Sequence, residues 1–202
     1  GVAEEVGKTL RWLSAYGFSG AEILSQHLLH VSDQKQSLKP SLISSSAKEK
    51  VFGNDSGETC SLTCGALLND LGHLINENIE LSFRDMSFPL LALPAAGRVA
   101  EAYNISIAYR FDQSTIICNP NGIVIKDSSA ERSRYIPPLF DPFFLISKAD
   151  VTCRLIQNNS ANTHFPSPES RTISKETIKI LEKFAHSTYA PATEESRLRG
   201  AG

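Results

Sequence analysis

Residues 87–126 constrain the fold more than any other part of the chain, because their pattern predicts strand, helix, strand and hairpin in succession. Residues 88–93 form an apolar run that ends at Pro94, and a helix-like stretch follows it. Residues 105–111 then alternate large side chains with smaller or polar ones, which is typical of a half-buried strand. This segment alone predicts a sheet with at least one helix packed on it.

The hairpin is predicted by the tetrapeptide Asn-Pro-Asn-Gly at residues 119–122, which suits a type I turn. It joins residues 115–118 to residues 123–126. The short helix before residue 105 also permits a right-handed parallel crossover, although such crossovers usually take about a dozen residues or more. We therefore predict an α+β fold with a mixed or mostly antiparallel sheet, a meander near residues 105–126 and flanking amphipathic helices.

Amphipathic helices are predicted at both ends of the chain. Residues 1–16 carry apolar side chains at helical spacing from the outset, so we expect the natural N-terminus to lie further upstream. A second helix begins with Ser19 and Glu22 as a capping box, and Ser174 caps the last helix. Residues 199–202 resemble an interrupted tail.

The length of 202 residues suits one domain, since domains commonly run to roughly 100–200 residues. Three stretches rich in Ser, Asn, Lys or Pro predict long irregular loops near residues 32–59, 127–142 and 158–171. We predict a single globular domain over residues 1–202 with an extended C-terminal tail at residues 190–202.

Composition narrows the classes of partner. The formal net charge of -2 argues against nucleic-acid binding, because proteins that bind nucleic acid usually present a basic field. No apolar run approaches the length of about 20 residues that a membrane helix requires, so we predict no membrane segment. The 4 cysteines do not predict a disulfide-dependent fold, and they favour a reducing, cytoplasmic location.

Two pairs of residues have spacings that metal sites use. His27 and His30 lie on one side of the second predicted helix, but no carboxylate motif accompanies them, so solvent-exposed or boundary histidines are the better interpretation. Cys60 and Cys64 are separated by Ser-Leu-Thr, but the second pair of ligands is missing. We therefore predict no metal and no cofactor.

Arginines and the C-terminal tail supply the candidate ligand-binding residues. Arg98 follows small residues that open a helix, where free amides and a guanidinium suit an anion; the alternative is close helix packing with Arg98 in solvent. The tail combines Glu195, Ser196 and Arg197, which favours a binding role, with disorder as the alternative. Together with Arg171, these residues predict a clamp for a carboxylate, with Glu195 as general acid or base.

Four short motifs are spread along most of the chain. They read GVAEEVGKTLRWL from Gly1, CGALLND from Cys64, FPLLALP from Phe88 and TEESRLRGAG from Thr193. Together they resemble a proteobacterial family catalogued only as a domain of unknown function. The resemblance implies a bacterial, soluble, intracellular protein that continues before Gly1 and past Gly202. That family has no established activity, so the resemblance implies no catalytic residue.

No segment carries a recognisable catalytic or cofactor signature, and no Gly-x-Ser-x-Gly motif accompanies His164 or His186. The function that we predict first is that of a non-catalytic subunit or accessory interaction protein in a homo- or hetero-oligomer. The alternative is an enzyme or binder of a small anionic metabolite that bears a carboxylate. Under this alternative, Glu195 is the candidate general acid or base.

Overall fold

The computed structural model describes residues 2–33, 38–55, 57–112, 114–127, 148–157 and 173–188. The chain divides into two compact units, residues 1–171 and residues 172–202, each with its own elements. The single domain expected over residues 1–202 stays a prediction. Within the described residues, no helix combines the length and the apolar character needed to cross a membrane.

The described part of the first unit contains five α-helices, one short 3-10 helix and eight strands. The α-helices are α1 (Val2–Ala15), α2 (Gly20–Ser32), α3 (Ser61–Asp70), α4 (Gly72–Asn76) and α5 (Leu93–Tyr103), and the 3-10 helix is Pro89–Leu91. The strands are β1 (Ser41–Ser45), β2 (Glu49–Gly53), β3 (Thr59–Cys60), β4 (Glu80–Ser87), β5 (Ser106–Phe111), β6 (Ser114–Asn119), β7 (Gly122–Asp127) and β8 (Lys148–Ile156). The described part of the second unit contains helix α6 (Lys175–Thr188).

The strands form one mixed sheet in the order β1-β2-β4-β8-β5-β6-β7, and β3 also pairs with β4. Strands β2 and β3 run parallel to β4, while every other neighbouring pair is antiparallel. The predicted meander is present as β5, β6 and β7, and its hairpin pairs Asn119 with Gly122. The α+β fold with a mostly antiparallel sheet is therefore confirmed.

Helix α5 is the most buried helix of the first unit, and its small side chains let other helices come close. It packs against α1, α3 and α4 on one side and against β5 and β6 on the other. A Cβ atom added at Gly65 of α3 would lie 3.5 Å from Ala92, which caps α5, and one added at Gly72 of α4 would lie 2.7 Å from Val99. Glycines of α3 and α4 that face α5 thus allow these helices to approach it closely.

Residues 88–93 do not form the strand that their apolar run predicts. They form the 3-10 helix and the first residue of α5, and the strand before them is β4. Phe88 turns the chain with a left-handed backbone (φ 46°), and the Tyr109 hydroxyl donates a hydrogen bond of 2.7 Å to the Pro89 carbonyl. A fully buried apolar run lacks the periodicity that separates strand from helix, which explains the wrong prediction.

Residues 32–59, expected to be a long irregular loop, instead contain β1, β2 and β3. Strand β2 owes its conformation to parallel pairing with β4, where Phe52 lies opposite Phe83 and their rings stack at 5.5 Å. Partners this distant in sequence override a Ser-rich, Lys-rich composition, because strand formation depends on packing more than on local preference. The other expected loops, near residues 127–142 and 158–171, and the tail at 190–202 lie outside the described residues, apart from Asp127 in β7.

The predicted capping box at the start of α2 is also absent. Ser19 makes no side-chain capping hydrogen bond, and its ψ of 64° is not that of an extended capping residue. The turn between α1 and α2 is held by backbone instead, because the Phe18 amide donates to Leu13 and the Gly20 amide donates to Phe18. This tight connection fixes the conformation of Ser19 without its side chain.

We expect the variant Gly72→Ala to lower the free energy of unfolding by about 1–3 kcal/mol, as overpacked core sites do. The added Cβ would lie within 3 Å of both γ-carbons of Val99, a buried residue with a stiff side chain. Chemical denaturation measures the change. The control is Gly7→Ala in α1, where the new Cβ meets nothing within 4 Å. Equal stability of Gly72→Ala and the unmodified protein would contradict the packing described above.

Candidate functional site

A group of five side chains lies where α2 passes the start of α3, and we call it the thiol–histidine cluster. Its members are His27, His30, Glu58, Cys60 and Phe88. The two histidines are three residues apart on α2 and so lie on one side of that helix. Glu58 and Cys60 are two residues apart along extended chain, so they share a face, with Thr59 on the other.

The first contact of the cluster joins a thiol to an imidazole. The Sγ atom of Cys60 lies 3.4 Å from Nε2 of His27. Cys60 is half-buried, whereas His27 is 1% exposed and its Nδ1 has no hydrogen-bond partner among the described residues. Burial lowers the pKa of His27 to about 4, with a smaller contribution from His30. His27 is therefore a neutral imidazole at physiological pH.

The second contact joins His30 to a carboxylate. The Nε2 atom of His30 lies 2.7 Å from Oε1 of Glu58, a distance typical of a charge-assisted hydrogen bond. The side chains of His30 and Glu58 are 34% and 17% exposed, so this end of the cluster reaches solvent. The two histidines thus differ both in partner and in access to water.

Phe88 connects the two contacts. Its ring centroid lies 5.6 Å from that of His27 and 5.9 Å from that of His30, with both imidazoles steeply inclined to the phenyl plane. Its left-handed backbone is rare for a bulky residue and costs on the order of 1–3 kcal/mol. The surrounding structure holds this conformation, and strain of this kind is common where side chains are positioned for function.

The backbone around Cys60 is fixed by three hydrogen bonds to other parts of the chain. The Cys60 amide donates to the Leu38 carbonyl at 2.8 Å. The Thr59 hydroxyl donates to the Arg84 carbonyl at 3.0 Å, and the Ser87 hydroxyl donates to the Thr59 carbonyl at 3.1 Å. Thr59 and Ser87 are fully buried, so the thiol is mounted on a rigid segment rather than on a loose loop.

Cys60 is also the capping residue of α3, and within the described part of the chain its side chain makes no capping hydrogen bond to that helix. The amides of a first helical turn have no partner within the helix, and the helix dipole makes this end positive. The hydroxyl of Ser61, the first residue of α3, is fully buried and has no hydrogen-bond partner among the described residues. The Cys60 thiol therefore lies beside uncapped backbone donors.

A nucleophile and hydrogen-bond donors on one rigid segment, with a neutral imidazole facing them from α2, suit attack on an electrophilic carbon. The described residues include no group of three or more His, Cys, Asp and Glu side chains placed to hold a metal ion. Cys64, the other member of the predicted pair, is fully buried, and burial raises its pKa to about 12. Cys64 is thus an inert core residue.

The cluster differs from the site predicted by sequence. His27 was expected at the surface or boundary and is instead in the core. Arg98 is half-buried on α5, where burial lowers the pKa of its guanidinium and Glu5 of α1 opposes that shift. The start of α5 is itself buried, which fits the alternative of close helix packing.

The remaining predicted residues, Arg171, Glu195, Ser196 and Arg197, lie outside the described residues. The carboxylate clamp that they were expected to form with Arg98 stays a prediction. A separate open cavity of about 300 Å³ lies beside the first residues of β5 and the end of β8. It is lined by Asn104, Ile105, Ser106, Pro120, Leu155 and Ile156, none of which is charged, and it offers less chemistry than the cluster.

Comparison with known families bears on the same part of the chain. Residues 1–60 match the model of a family described as a protein of unknown function, DUF3726. The match confirms the resemblance to a domain of unknown function. It ends at Cys60 and so includes every member of the thiol–histidine cluster except Phe88. No curated protein and no solved structure matches the chain.

The buried imidazole predicts a pH dependence of stability. The pKa of His27 falls from 6.5 to about 4 on folding, so between these values the unfolded chain binds more protons than the folded one. The contribution of neutral His27 to the free energy of unfolding is therefore complete above pH 6.5 and is lost as the pH falls through about 4. We expect the free energy of unfolding of the unmodified protein, relative to that of His27→Gln, to rise by up to about 3 kcal/mol as the pH rises through this window.

Denaturation at several pH values measures this difference. The matched control is His73→Gln on α4, because His73 is exposed and should leave the pH dependence as it is. If the free energies of unfolding of the unmodified protein and of His27→Gln differ by the same amount at every pH, His27 is not buried in its neutral form.

Proposed function

We propose that this chain is a thiol-dependent hydrolase in which Cys60 attacks the acyl carbon of a small substrate and His27 takes up the thiol proton. The bond between the acyl carbon and its leaving group breaks, and the leaving group departs with a proton or as an anion. Water then cleaves the thioester, and Cys60 regains its proton. The observation that carries the proposal is the contact of 3.4 Å between Cys60 Sγ and His27 Nε2. The other three cysteines, Cys64, Cys118 and Cys153, are fully buried, so Cys60 is the one that a substrate reaches.

The charges around Cys60 support the same chemistry. Because His27 is neutral at physiological pH, one of its ring nitrogens is unprotonated, and the proposal assigns the uptake of the thiol proton to Nε2, the atom that faces Cys60. The uncapped first turn of α3 supports the negative charge that develops on a substrate oxygen during attack by the thiol. The proposal keeps the predicted alternative of an enzyme for a small metabolite, but it rests on Cys60 and His27 rather than on Arg98 and the tail.

Acylation by p-nitrophenyl acetate tests the proposal. We expect an initial burst of one nitrophenol per chain, followed by slower turnover, and an acetyl group on Cys60 located by peptide mass spectrometry. His27→Gln should slow this step by about 100-fold, as loss of a general base does, and Cys60→Ser should abolish it. His73→Gln is the control. Acetylation elsewhere, or at a rate that does not depend on His27, would count against the enzyme.

A second candidate function is the non-catalytic interaction role predicted first from sequence, and the edge strand β1 favours it. All five residues of β1 are exposed, Leu42 by 54% and Ile43 by 56%. The strand carries no charge, and charged side chains are a common protection of exposed strand edges. Strand addition by another chain would cover both apolar residues.

Light scattering coupled to size-exclusion chromatography tests the interaction role. If β1 joins copies of this chain, the unmodified protein elutes as an oligomer and Ile43→Lys shifts it to the monomer. Tyr103→Lys on α5 is the matched control, because it adds the same charge at another exposed apolar residue. A monomer at all concentrations, with no partner that co-purifies, would argue against this function.

Cellular location and origin belong to the same proposal. We propose a cytoplasmic protein of bacterial origin that acts on, or binds, a small anionic ligand rather than nucleic acid. All 4 cysteines are free thiols, which supports a reducing compartment. The net charge of -2 supports the absence of a nucleic-acid partner.

A further inference from the structure

The sheet has a second face, opposite the helical layer, and strands β5 and β8 place two arginines on it. The hydroxyl of Tyr109 in β5 donates to the Pro89 carbonyl of the 3-10 helix, so Tyr109 points toward the helical layer. Arg110, the next residue, therefore points to the other face. Arg154 of β8 lies opposite Ala108, which is two residues before Arg110 and so shares its face.

The register of β5 and β8 brings these two arginines close together. Arg110 lies opposite Thr152 and Arg154 lies opposite Ala108, so the arginines are diagonal neighbours on adjacent strands. Diagonal neighbours of this kind are about 7–8 Å apart at the backbone, a separation that long side chains span. The guanidinium groups of Arg110 and Arg154 can therefore reach the same ligand.

In the part of the chain that the structure describes, neither guanidinium makes a hydrogen bond or an ion pair. The Nε atom of Arg154 is buried, and a buried donor without a partner costs free energy. Arg84 of the adjacent strand β4 gives the contrast, because its Nη1 atom donates to Asp150 at 2.8 Å. Arg154 thus carries a buried donor that an anion would satisfy.

The acidic side chains of neighbouring strands do not satisfy the two arginines. Asp150 is bonded to Arg84, and Glu49 of β2 accepts a hydrogen bond of 2.7 Å from the Ser82 hydroxyl. Glu80 of β4 forms no ion pair with either arginine among the described residues. The two guanidiniums therefore remain free to bind an oxyanion from solution.

The open cavity of about 300 Å³ adjoins Arg154. Ser106 and Ile156 line it, and they are the next pair on this face after Ala108 and Arg154. Successive pairs on one face are about 7 Å apart along a strand. Four of the six lining residues are apolar, namely Ile105, Pro120, Leu155 and Ile156. A hydrocarbon body therefore suits the cavity, while a negative end suits the arginines.

We infer that Arg110 and Arg154 bind the carboxylate of a small organic acid whose hydrocarbon body occupies the adjoining cavity. A guanidinium binds a carboxylate through two parallel hydrogen bonds, which lysine cannot form. Phe88 directly precedes Pro89 on the helical side of the sheet, so the thiol–histidine cluster and this site lie on opposite faces. The inference gives residues to the small anionic ligand of the proposed function, and it does not depend on the thiol chemistry.

Titration with hexanoate at fixed ionic strength, followed by NMR, tests the inference. We expect one hexanoate to bind per chain. Arg110→Gln and Arg154→Gln should each weaken binding by about 10-fold or more, because each removes charge-assisted hydrogen bonds. Arg154→Lys should weaken it as well, since lysine keeps the charge but lacks the planar fork. Acetate should bind about 10-fold or more weakly than hexanoate, because it lacks the hydrocarbon body.

The matched control is Arg84→Gln, which removes the same charge from the adjacent strand, where Asp150 already pairs with it. Absence of hexanoate binding, or binding that Arg110→Gln and Arg154→Gln leave unchanged, overturns the site. Equal weakening by Arg84→Gln shows general attraction between charges and overturns it too. Equal affinity for acetate and hexanoate overturns the role of the cavity.

Two further measurements keep these outcomes decisive. Circular dichroism shows whether each variant folds, and Arg110→Gln decides the question if Arg154→Gln does not fold, because Arg110 is exposed. Cys60→Ser should bind hexanoate as the unmodified protein does. Loss of hexanoate binding in Cys60→Ser contradicts a site on the other face of the sheet, whereas failure of Cys60 to be acylated overturns the thiol enzyme alone.

Discussion

Pairing with β4 is the interaction on which the rest of the first unit depends. This strand accepts β2 and β3 in parallel along one edge and β8 in antiparallel along the other. It thereby joins the segment before α3 to the meander that follows α5. Cys60 ends the strand paired with β4, and Phe88 directly follows the last residue of β4, so this strand positions two members of the thiol–histidine cluster, while α2 carries the two histidines. Loss of this pairing would dismantle sheet and cluster together.

Elements whose determinants are local in sequence could be predicted, and those that depend on distant partners could not. The meander of β5, β6 and β7 follows from alternation and one turn, and α1 follows from helical spacing. Strands β1 to β3 lie in a Ser-rich, Lys-rich part of the chain, where β2 and β3 pair with β4 and β1 pairs with β2. The strand prediction for residues 88–93 was wrong for the converse reason. This run is apolar throughout, and its conformation is set by Phe88 and by Tyr109 from β5.

The candidate site shows the same limit more sharply. His27 and Cys60 are far apart in sequence, and nothing around either residue signals the other. The sequence shows a pair of histidines, and it shows Glu58 and Cys60 two residues apart before a helix. Only the fold shows that the histidine pair faces these two residues. The binding role of Arg98 stays a prediction, because a helix start rich in Ala and Gly serves helix packing as readily as anion binding, and here the positions that open α5 are buried.

The left-handed backbone at Phe88 has a consequence for how this position can vary. Glycine would relax the main chain there but would remove the ring that both imidazoles touch. Any other aromatic residue would keep a ring and inherit the torsional penalty. Residue 88 must therefore combine a left-handed backbone with an aromatic side chain, so the turn and the cluster depend on the same residue.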